Sequence, residues 1–189
     1  MLDVSATRQG PLDLLAGEGR AGSGVELSLL PSRAKFVLRC RPGSVAAAVQ
    51  AFGVALPNEA CRAAVSGSRA ALWLGPDEWL LLAAPDDAAA IVRQFAGALA
   101  GAPHSFVDVS HRSAAIAIEG AQAATLINHG CALDLAHAAF PAGMCTRTVF
   151  EKAEIILWRV EEHTYHVEIE RSFAPYVWRM LTEAREDLA

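Results

Sequence analysis

The sequence predicts an α+β fold of two pseudo-repeated lobes, each a mostly antiparallel sheet with helices packed against it. From Val25 onward the order strand, strand, helix, strand, strand, helix is followed by a similar order, roughly eighty residues later in the chain. The chain has 189 residues, 53% of them apolar and 20% charged, which is typical of a folded protein with a buried core. We expect a tail and linker over 1–24, a first lobe over 25–103 and a second lobe over 104–189.

The N-terminal tail combines a short apolar segment with a flexible linker. Residues 16–24 read AGEGRAGSG and hold four glycines, so they are expected to be flexible. Before them, Leu12, Leu14 and Leu15 could share one side of a short helix, which is stable only if it packs on something else. We therefore expect these three leucines to form part of a subunit interface.

In the first lobe, apolar periodicity predicts four strands and two helices. The strands are Val25–Leu30, Ala34–Cys40, Ala70–Leu74 and Trp79–Ala84, and the helices are Ser44–Phe52 and Asp86–Ala100. Asp86 is expected to cap the second helix and Gly101 to stop it. Gly75-Pro76-Asp77-Glu78 is typical of a hairpin turn, with proline at its second position.

In the second lobe, the same criteria predict five strands and two helices. The strands are Ser105–Val109, Ala114–Glu119, Thr146–Phe150, Glu154–Val160 and Tyr165–Ile169, and the helices are Gly120–His129 and Ser172–Glu186. Gly130 could end the first of these helices in a left-handed conformation. Glu161-Glu162-His163 reads as a charged hairpin tip.

The final helix carries an apolar stripe that is expected to cover a sheet. The stripe consists of Phe173, Val177, Met180, Leu181 and Ala184. Trp178 lies off the centre of this stripe and is the fourth candidate for contact with a partner.

Composition argues against several classes of function. The net charge is -5 and no run of Lys or Arg occurs, which argues against nucleic acid and anionic membranes as partners. No window approaches the roughly eighteen apolar residues of a spanning helix, and the N-terminus lacks a secretory h-region. The protein is therefore expected in the cytoplasm. The four cysteines form no C-x-x-C pair and are expected to be reduced thiols.

Asp108, Ser110 and His111 contain the residue types of a catalytic triad but not its geometry. Adjacent strand residues point to opposite faces, and no G-x-S-x-G turn is present. We expect Asp108 and Ser110 to bond nearby backbone groups and to fix a turn between two strands.

Other polar groupings predict neither a metal nor a nucleotide cofactor in this chain. His129, Cys131 and His137 lack a second close pair of ligands, and His163 and His166 should project to opposite faces of a strand. The glycine-rich run of 17–24 follows no strand and contains neither GxGxxG nor GxxxxGK[ST].

Three segments carry a family resemblance. The first reads SHRSAAIAIEGAQAATLINHGCALDL, the second FPAGMCTRT and the third RSFAPYVWRML. The first joins a D-x-S-H turn to a G-x-x-A helix start, and so resembles the folate-binding aminomethyltransferase superfamily. Together the three segments most resemble the gamma subunits of heterotetrameric sarcosine oxidases.

The resemblance implies a retained fold without a retained catalytic site. In folate-using aminomethyltransferases, a glycine pair and an Asp-Asp dipeptide precede the strand that corresponds to Glu154–Arg159. Here the segment reads VFEKAE, so Ala153 replaces one of the two acids and Glu154 occupies the position of the other. The later Y-T-G-E type segment and the K-G-C-Y-x-G-Q-E motif of the superfamily are not found. We expect no catalytic residue in this chain and no activity from the isolated chain.

As a gamma subunit, the chain would act with alpha, beta and delta subunits in oxidising sarcosine to glycine, hydrogen peroxide and a one-carbon unit on tetrahydrofolate. The resemblance assigns FAD, FMN, NAD, zinc and tetrahydrofolate to the other subunits and no cofactor to this chain. Two alternatives remain: a free-standing folate-binding transferase, and a scaffold module of another complex.

Overall fold

The computed structural model describes residues 10–13, 15 and 24–188. This part of the chain forms ten strands and four α-helices. The first half contains β1 (Glu26–Leu29), β2 (Ala34–Cys40), α1 (Val45–Phe52), β3 (Ala63–Ser66), β4 (Arg69–Gly75), β5 (Glu78–Ala83) and α2 (Ala88–Ala98). The second half contains β6 (His104–Asp108), β7 (Ser113–Glu119), α3 (Ala123–Asn128), β8 (Cys145–Phe150), β9 (Ala153–Glu161), β10 (Thr164–Glu170) and α4 (Ala174–Glu186).

The strands form two five-stranded sheets in which every pairing is antiparallel, which confirms the predicted α+β class. Sheet A has the order β1-β7-β10-β9-β8, and sheet B, read from its other edge, has the order β6-β2-β5-β4-β3. The two orders match strand for strand when β1 to β5 are paired with β6 to β10. The repeated element order in the sequence therefore corresponds to a repeated sheet topology.

The first strand of each half lies in the sheet of the other half. Strand β1 pairs with β7, with Leu27 opposite Ile118, and β6 pairs with β2, with Val107 opposite Val37. The predicted lobes of 25–103 and 104–189 each keep their first strand with their own half, whereas the observed pairing places β1 in sheet A and β6 in sheet B. The connection between β1 and β2 contains Pro31 and lacks the Asn-Gly or Gly-rich pair of a tight hairpin, so the chain crosses between the sheets.

The sheets and helices form four layers, in the order helices, sheet B, sheet A, helices. Helices α1 and α2 cover the outer face of sheet B, where Phe36, Phe95 and Phe106 stack with centroids 4.2 to 4.8 Å apart. Helices α3 and α4 cover the outer face of sheet A. The inner faces contact each other through a third core that includes Leu72, Leu80 and Trp158. None of the described helices is long and apolar enough to span a bilayer.

Several local expectations are confirmed and others are wrong. The hairpin turns at 76–77 and 162–163 form, and Gly101 has a φ of 77° just beyond α2. Asp86 makes no side-chain cap, because a 3-10 turn over Pro85–Asp87 precedes α2. Gly130 is not left-handed, and it packs instead against Phe150, whose ring carbon Cζ would lie 2.6 Å from an added Cβ.

Helix α4 presents a different face to the core from the predicted one. The residues buried on this face are Ala174, Val177, Trp178, Leu181 and Arg185. Phe173 stands at the helix N-terminus with 41% of its surface exposed, whereas Trp178 is only 1% exposed. The stripe is thus rotated about the helix axis, which puts Trp178 inside the protein.

Candidate functional site

The residues predicted for a subunit interface lie mostly inside the protein. Leu12 is 2% exposed and belongs to the same core as Trp178, and Leu15 packs against that core. Leu14 lies outside the described residues. Leu12 and Trp178 thus pack inside this chain, where Leu12 lies in the core of sheet A, and a role of the four residues at a subunit interface stays a prediction.

Glu154 lies on the inner face of sheet A, at the position where the resemblance places a catalytic acid. Its neighbour Ala153 is fully buried on the opposite face, since successive strand residues alternate. The tight turn before β9 contains Glu151, whose φ of 51° is rare for a residue other than glycine. A second acid at position 153 would point into the core, so this strand presents one carboxylate and not an acid pair.

The space beside Glu154 is a narrow slot between the two sheets. Its volume is about 60 Å³, and Val37, Leu80 and Ile156 fill its walls. Pockets for cofactor-sized ligands measure about 300 to 1,000 Å³. A hydrogen bond from Arg147 to Glu78 joins the two sheets next to this slot. The slot cannot hold a pterin without separation of the sheets.

A buried ion pair connects the sheets at the inner end of the slot. Lys35 on β2 places its Nζ 2.5 Å from Oε2 of Glu168 on β10, and the two side chains are 4% and 8% exposed. Lys35 Nζ also lies 3.0 Å from Ser113 Oγ and 3.2 Å from the Ser113 carbonyl oxygen. The Ser113 hydroxyl donates to the same Glu168 oxygen at 2.7 Å.

The Lys35 ammonium is fully bonded within this cluster, which joins the two sheets. The ammonium of Lys35 has three N–H groups and three acceptors, so no proton remains to be donated to a substrate. The pair is not among the residues predicted from the sequence, although a charged residue within an apolar strand is a signal in AKFVLRC and in TYHVEIE. What the sequence did not reveal is that these two strands face each other.

Asp108 and Ser110 fix the crossing between β6 and β7, as predicted. The Ser110 hydroxyl lies 2.6 Å from Asp108 Oδ1, and the Ser110 backbone N–H donates to the same oxygen at 2.8 Å. These bonds to Ser110 lower the pKa of the Asp108 carboxyl. The Lys35 backbone N–H donates to Ser110 Oγ at 3.0 Å, which joins the turn to β2. These bonds give Ser110 a structural role in the turn.

The other candidate ligands are dispersed. His129 Nδ1 lies 3.0 Å from the Thr125 carbonyl oxygen, while Cys131 is buried in the core behind α3. His163 is at an exposed hairpin tip, whereas His166 faces sheet B. Among the described residues, no group of three His, Cys, Asp or Glu side chains is arranged to hold a metal ion.

Comparison with known proteins gives consistent family matches. Residues 39–187 match the model of the sarcosine oxidase, gamma subunit family. The chain is 30% identical over 198 residues to the sarcosine oxidase subunit gamma of Corynebacterium sp. strain U-96, which covers 100% of this chain and 95% of that protein. The identity to the corresponding subunit of Corynebacterium sp. strain P-1 is 27% over 197 residues, with the same coverage of both chains.

Solved structures agree with these relatives. A chain of the heterotetrameric sarcosine oxidase from Corynebacterium sp. U-96, in complex with pyrrole 2-carboxylate, matches with a TM-score of 0.88 and 30% identity, over 96% of both chains. The aminomethyltransferase T of the glycine cleavage system from Bartonella henselae matches with a TM-score of 0.65 and 12% identity, over 86% of this chain and 47% of that one. The second likeness shows the fold alone.

Proposed function

The chain belongs to the sarcosine oxidase gamma subunit family, and on that basis we propose that it is the noncatalytic gamma subunit of a heterotetrameric sarcosine oxidase. The observation that carries the proposal is the match to a chain of such an oxidase, at 30% identity and a TM-score of 0.88. Because that match covers 96% of both chains, it extends over both sheets and all four layers.

The proposed complex oxidises sarcosine to glycine, with release of hydrogen peroxide and transfer of a one-carbon unit to tetrahydrofolate. Alpha, beta and delta subunits are its other members, and they hold the FAD, FMN, NAD, zinc and tetrahydrofolate. The family resemblance supports this division of labour. The complex is proposed to be cytoplasmic, and the four free cysteines support that location.

The inner face of sheet A supports a noncatalytic role. Ala153 removes one of the two acids of the folate-using relatives, and the slot beside Glu154 has a volume of only about 60 Å³. Lys35 and Glu168 form an ion pair with each other. These features disfavour the alternative of a free-standing folate-binding transferase, which would need an open cavity and an acid within reach of a folate nitrogen.

Two measurements on the purified chain test the absence of catalysis. We expect the isolated chain to show no flavin absorption band after gel filtration and no sarcosine-dependent peroxide release, with activity appearing only when the other three subunits are present. Titration with tetrahydrofolate should give no saturable heat signal. A flavin band, peroxide release or saturable folate binding by the isolated chain would contradict the proposal. Copurification with an unrelated complex, and without flavoprotein subunits, would favour the scaffold alternative.

A further inference from the structure

A second space between the sheets is larger than the slot and differs from it in chemistry. This space, the Trp158 cavity, has a volume of about 340 Å³. Its walls include Pro31 of the crossing segment, Val65 of β3 and Ala70 of β4, with Trp158 and His166 on the side of sheet A. The volume lies in the range of pockets for small molecules.

Two rings form the side of the cavity that belongs to sheet A. Trp158 is 5% exposed, and its ring meets the His166 ring edge-on with centroids 5.3 Å apart. Burial, together with the nearby charge of Arg33, lowers the pKa of His166, so this imidazole is neutral near pH 7. Within the described residues the indole Nε1 of Trp158 has no hydrogen-bond partner. An apolar, aromatic surface of this kind suits a flat or branched hydrophobic group.

Arg33 brings a positive charge to this apolar cavity. Its guanidinium donates to the Ser68 carbonyl oxygen, and none of the described carboxylates lies within ion-pairing distance of it. Burial lowers the pKa of Arg33, and the charge of Glu168 opposes that shift. Glu168 is already bonded to Lys35 and Ser113. A partly buried cation without its own anion is the feature that a bound carboxylate would complete.

Arg69, the other arginine of the cavity wall, differs from Arg33 in this respect. Its guanidinium lies 2.9 Å from Asp87 Oδ2 and donates to the Phe52 carbonyl oxygen at 2.7 Å. Arg69 therefore has both an anionic partner and a structural role. Arg33 has no such anionic partner among the described residues.

We propose that the Trp158 cavity binds a small monocarboxylate with a compact aromatic or branched apolar body. The carboxylate pairs with the guanidinium of Arg33, and the apolar body lies against the rings of Trp158 and His166. This assignment goes beyond the role of the chain as a gamma subunit and does not depend on it.

Benzoate is a suitable probe, and benzamide is its uncharged counterpart of the same shape. Titration of the full chain, followed by tryptophan fluorescence and calorimetry, should show saturable binding of benzoate and at least about tenfold weaker binding of benzamide, the order expected for one charge-assisted interaction. Arg33→Met should weaken benzoate binding by a similar factor. Arg93→Met, which removes an exposed charge on α2, should leave it unchanged.

Trp158→Phe locates the site independently of the charge. It should abolish the benzoate-dependent fluorescence change while calorimetry still detects binding. Circular dichroism of each variant checks the fold, and Arg33→Gln replaces Arg33→Met if the latter unfolds. The proposal is overturned if benzoate shows no saturable binding at millimolar concentrations, if benzamide binds equally well, or if the Arg33 variants bind like the unchanged chain. Copurification with the other subunits is measured separately, so failure of this site leaves the subunit role intact.

Discussion

Lys35 and Glu168 form a buried ion pair that connects the two sheets. Either charge alone would be unfavourable inside the protein. They are 133 positions apart in the chain, yet their side chains meet at 2.5 Å. Taking two charges out of water is unfavourable unless they are paired and hydrogen-bonded, and here Ser113 adds a hydrogen bond to each charged group. The pair therefore specifies how the two sheets sit against each other.

Removing one member of this pair should be far more damaging than removing both. We expect Lys35→Met, and separately Glu168→Gln, to lower the free energy of unfolding by about 3 to 5 kcal/mol, because an unpaired charge or polar group stays buried. The double variant Lys35→Met/Glu168→Leu should recover much of that loss. Urea denaturation followed by circular dichroism measures each value.

The exposed pair of Arg112 and Glu170 provides the matched control. Its side chains are 61% and 42% exposed, so Arg112→Met should change the free energy of unfolding by less than about 1 kcal/mol. If the Lys35 and Arg112 variants lost the same stability, the buried pair would not join the sheets as described.

Trp178 illustrates how a single position can be misassigned from periodicity. Phe173 and Trp178 are both apolar and five residues apart, so the sequence permits two stripes that differ by a rotation of the helix. Helix α4 packs on sheet A with Trp178 inside, in the same core as residues of α3 and β10. Burial is thus decided by tertiary packing and not by the local pattern.

Trp178→Ala should therefore act on stability and not directly on assembly. Loss of a fully buried aromatic side chain should lower the free energy of unfolding by about 3 to 5 kcal/mol. Phe173→Ala, at the start of the same helix and 41% exposed, should cost much less. Denaturation and copurification on the same samples separate the two effects. If Trp178→Ala left the free energy of unfolding unchanged but prevented assembly, this side chain would belong to the subunit interface.

At the scale of elements, the sequence reveals most strands and helices but not all of their partners. Alternation and turn residues predicted nine of the ten strands, whereas β3 was missed because AAVS is short and weakly apolar. The partner of β1 was also beyond local reasoning, since ELSL has one apolar side that fits either sheet. Pairing depends on the crossing over residues 30–33, a connection that no local propensity describes.

The exchanged strands predict which half of the chain can keep structure by itself. A fragment of residues 33–112 contains all of sheet B, including β6, whose Phe106 stacks 4.2 Å from Phe95. A fragment of residues 25–103 is of similar length but lacks β6 and carries β1 without its partner β7. We expect fragment 33–112 to show more strand signal in circular dichroism and a more cooperative thermal transition. The opposite ranking would mean that the boundary at 103 and 104 describes the folding unit better.

For the whole molecule, the four-layer arrangement leaves little space between the sheets beside Glu154. The sheets meet through an apolar inner core, and the slot beside Glu154 has a volume of about 60 Å³. The family could be predicted from three segments of sequence, since those residues shape a crossing turn, the α3 region and α4. The small volume of the slot could not be predicted, because it depends on side chains from both sheets.

The N-terminal tail adds to the same picture. Leu12 completes the core of sheet A, so at least this part of the tail belongs to the fold and not to a partner. A surface that contacts other subunits would therefore include residues besides Leu12 and Trp178. Assembly itself is consequently the property to measure.

Native mass spectrometry of the complex, isolated through a tag on this chain from its own host, tests the subunit role most directly. The account predicts one copy of this chain with one copy each of three other subunits, together with flavin and sarcosine-dependent peroxide release. The same chain expressed alone should give a species with neither flavin nor activity. If the tagged chain is recovered only by itself under conditions that preserve the oxidase, or if the oxidase assembles fully without it, the account is contradicted.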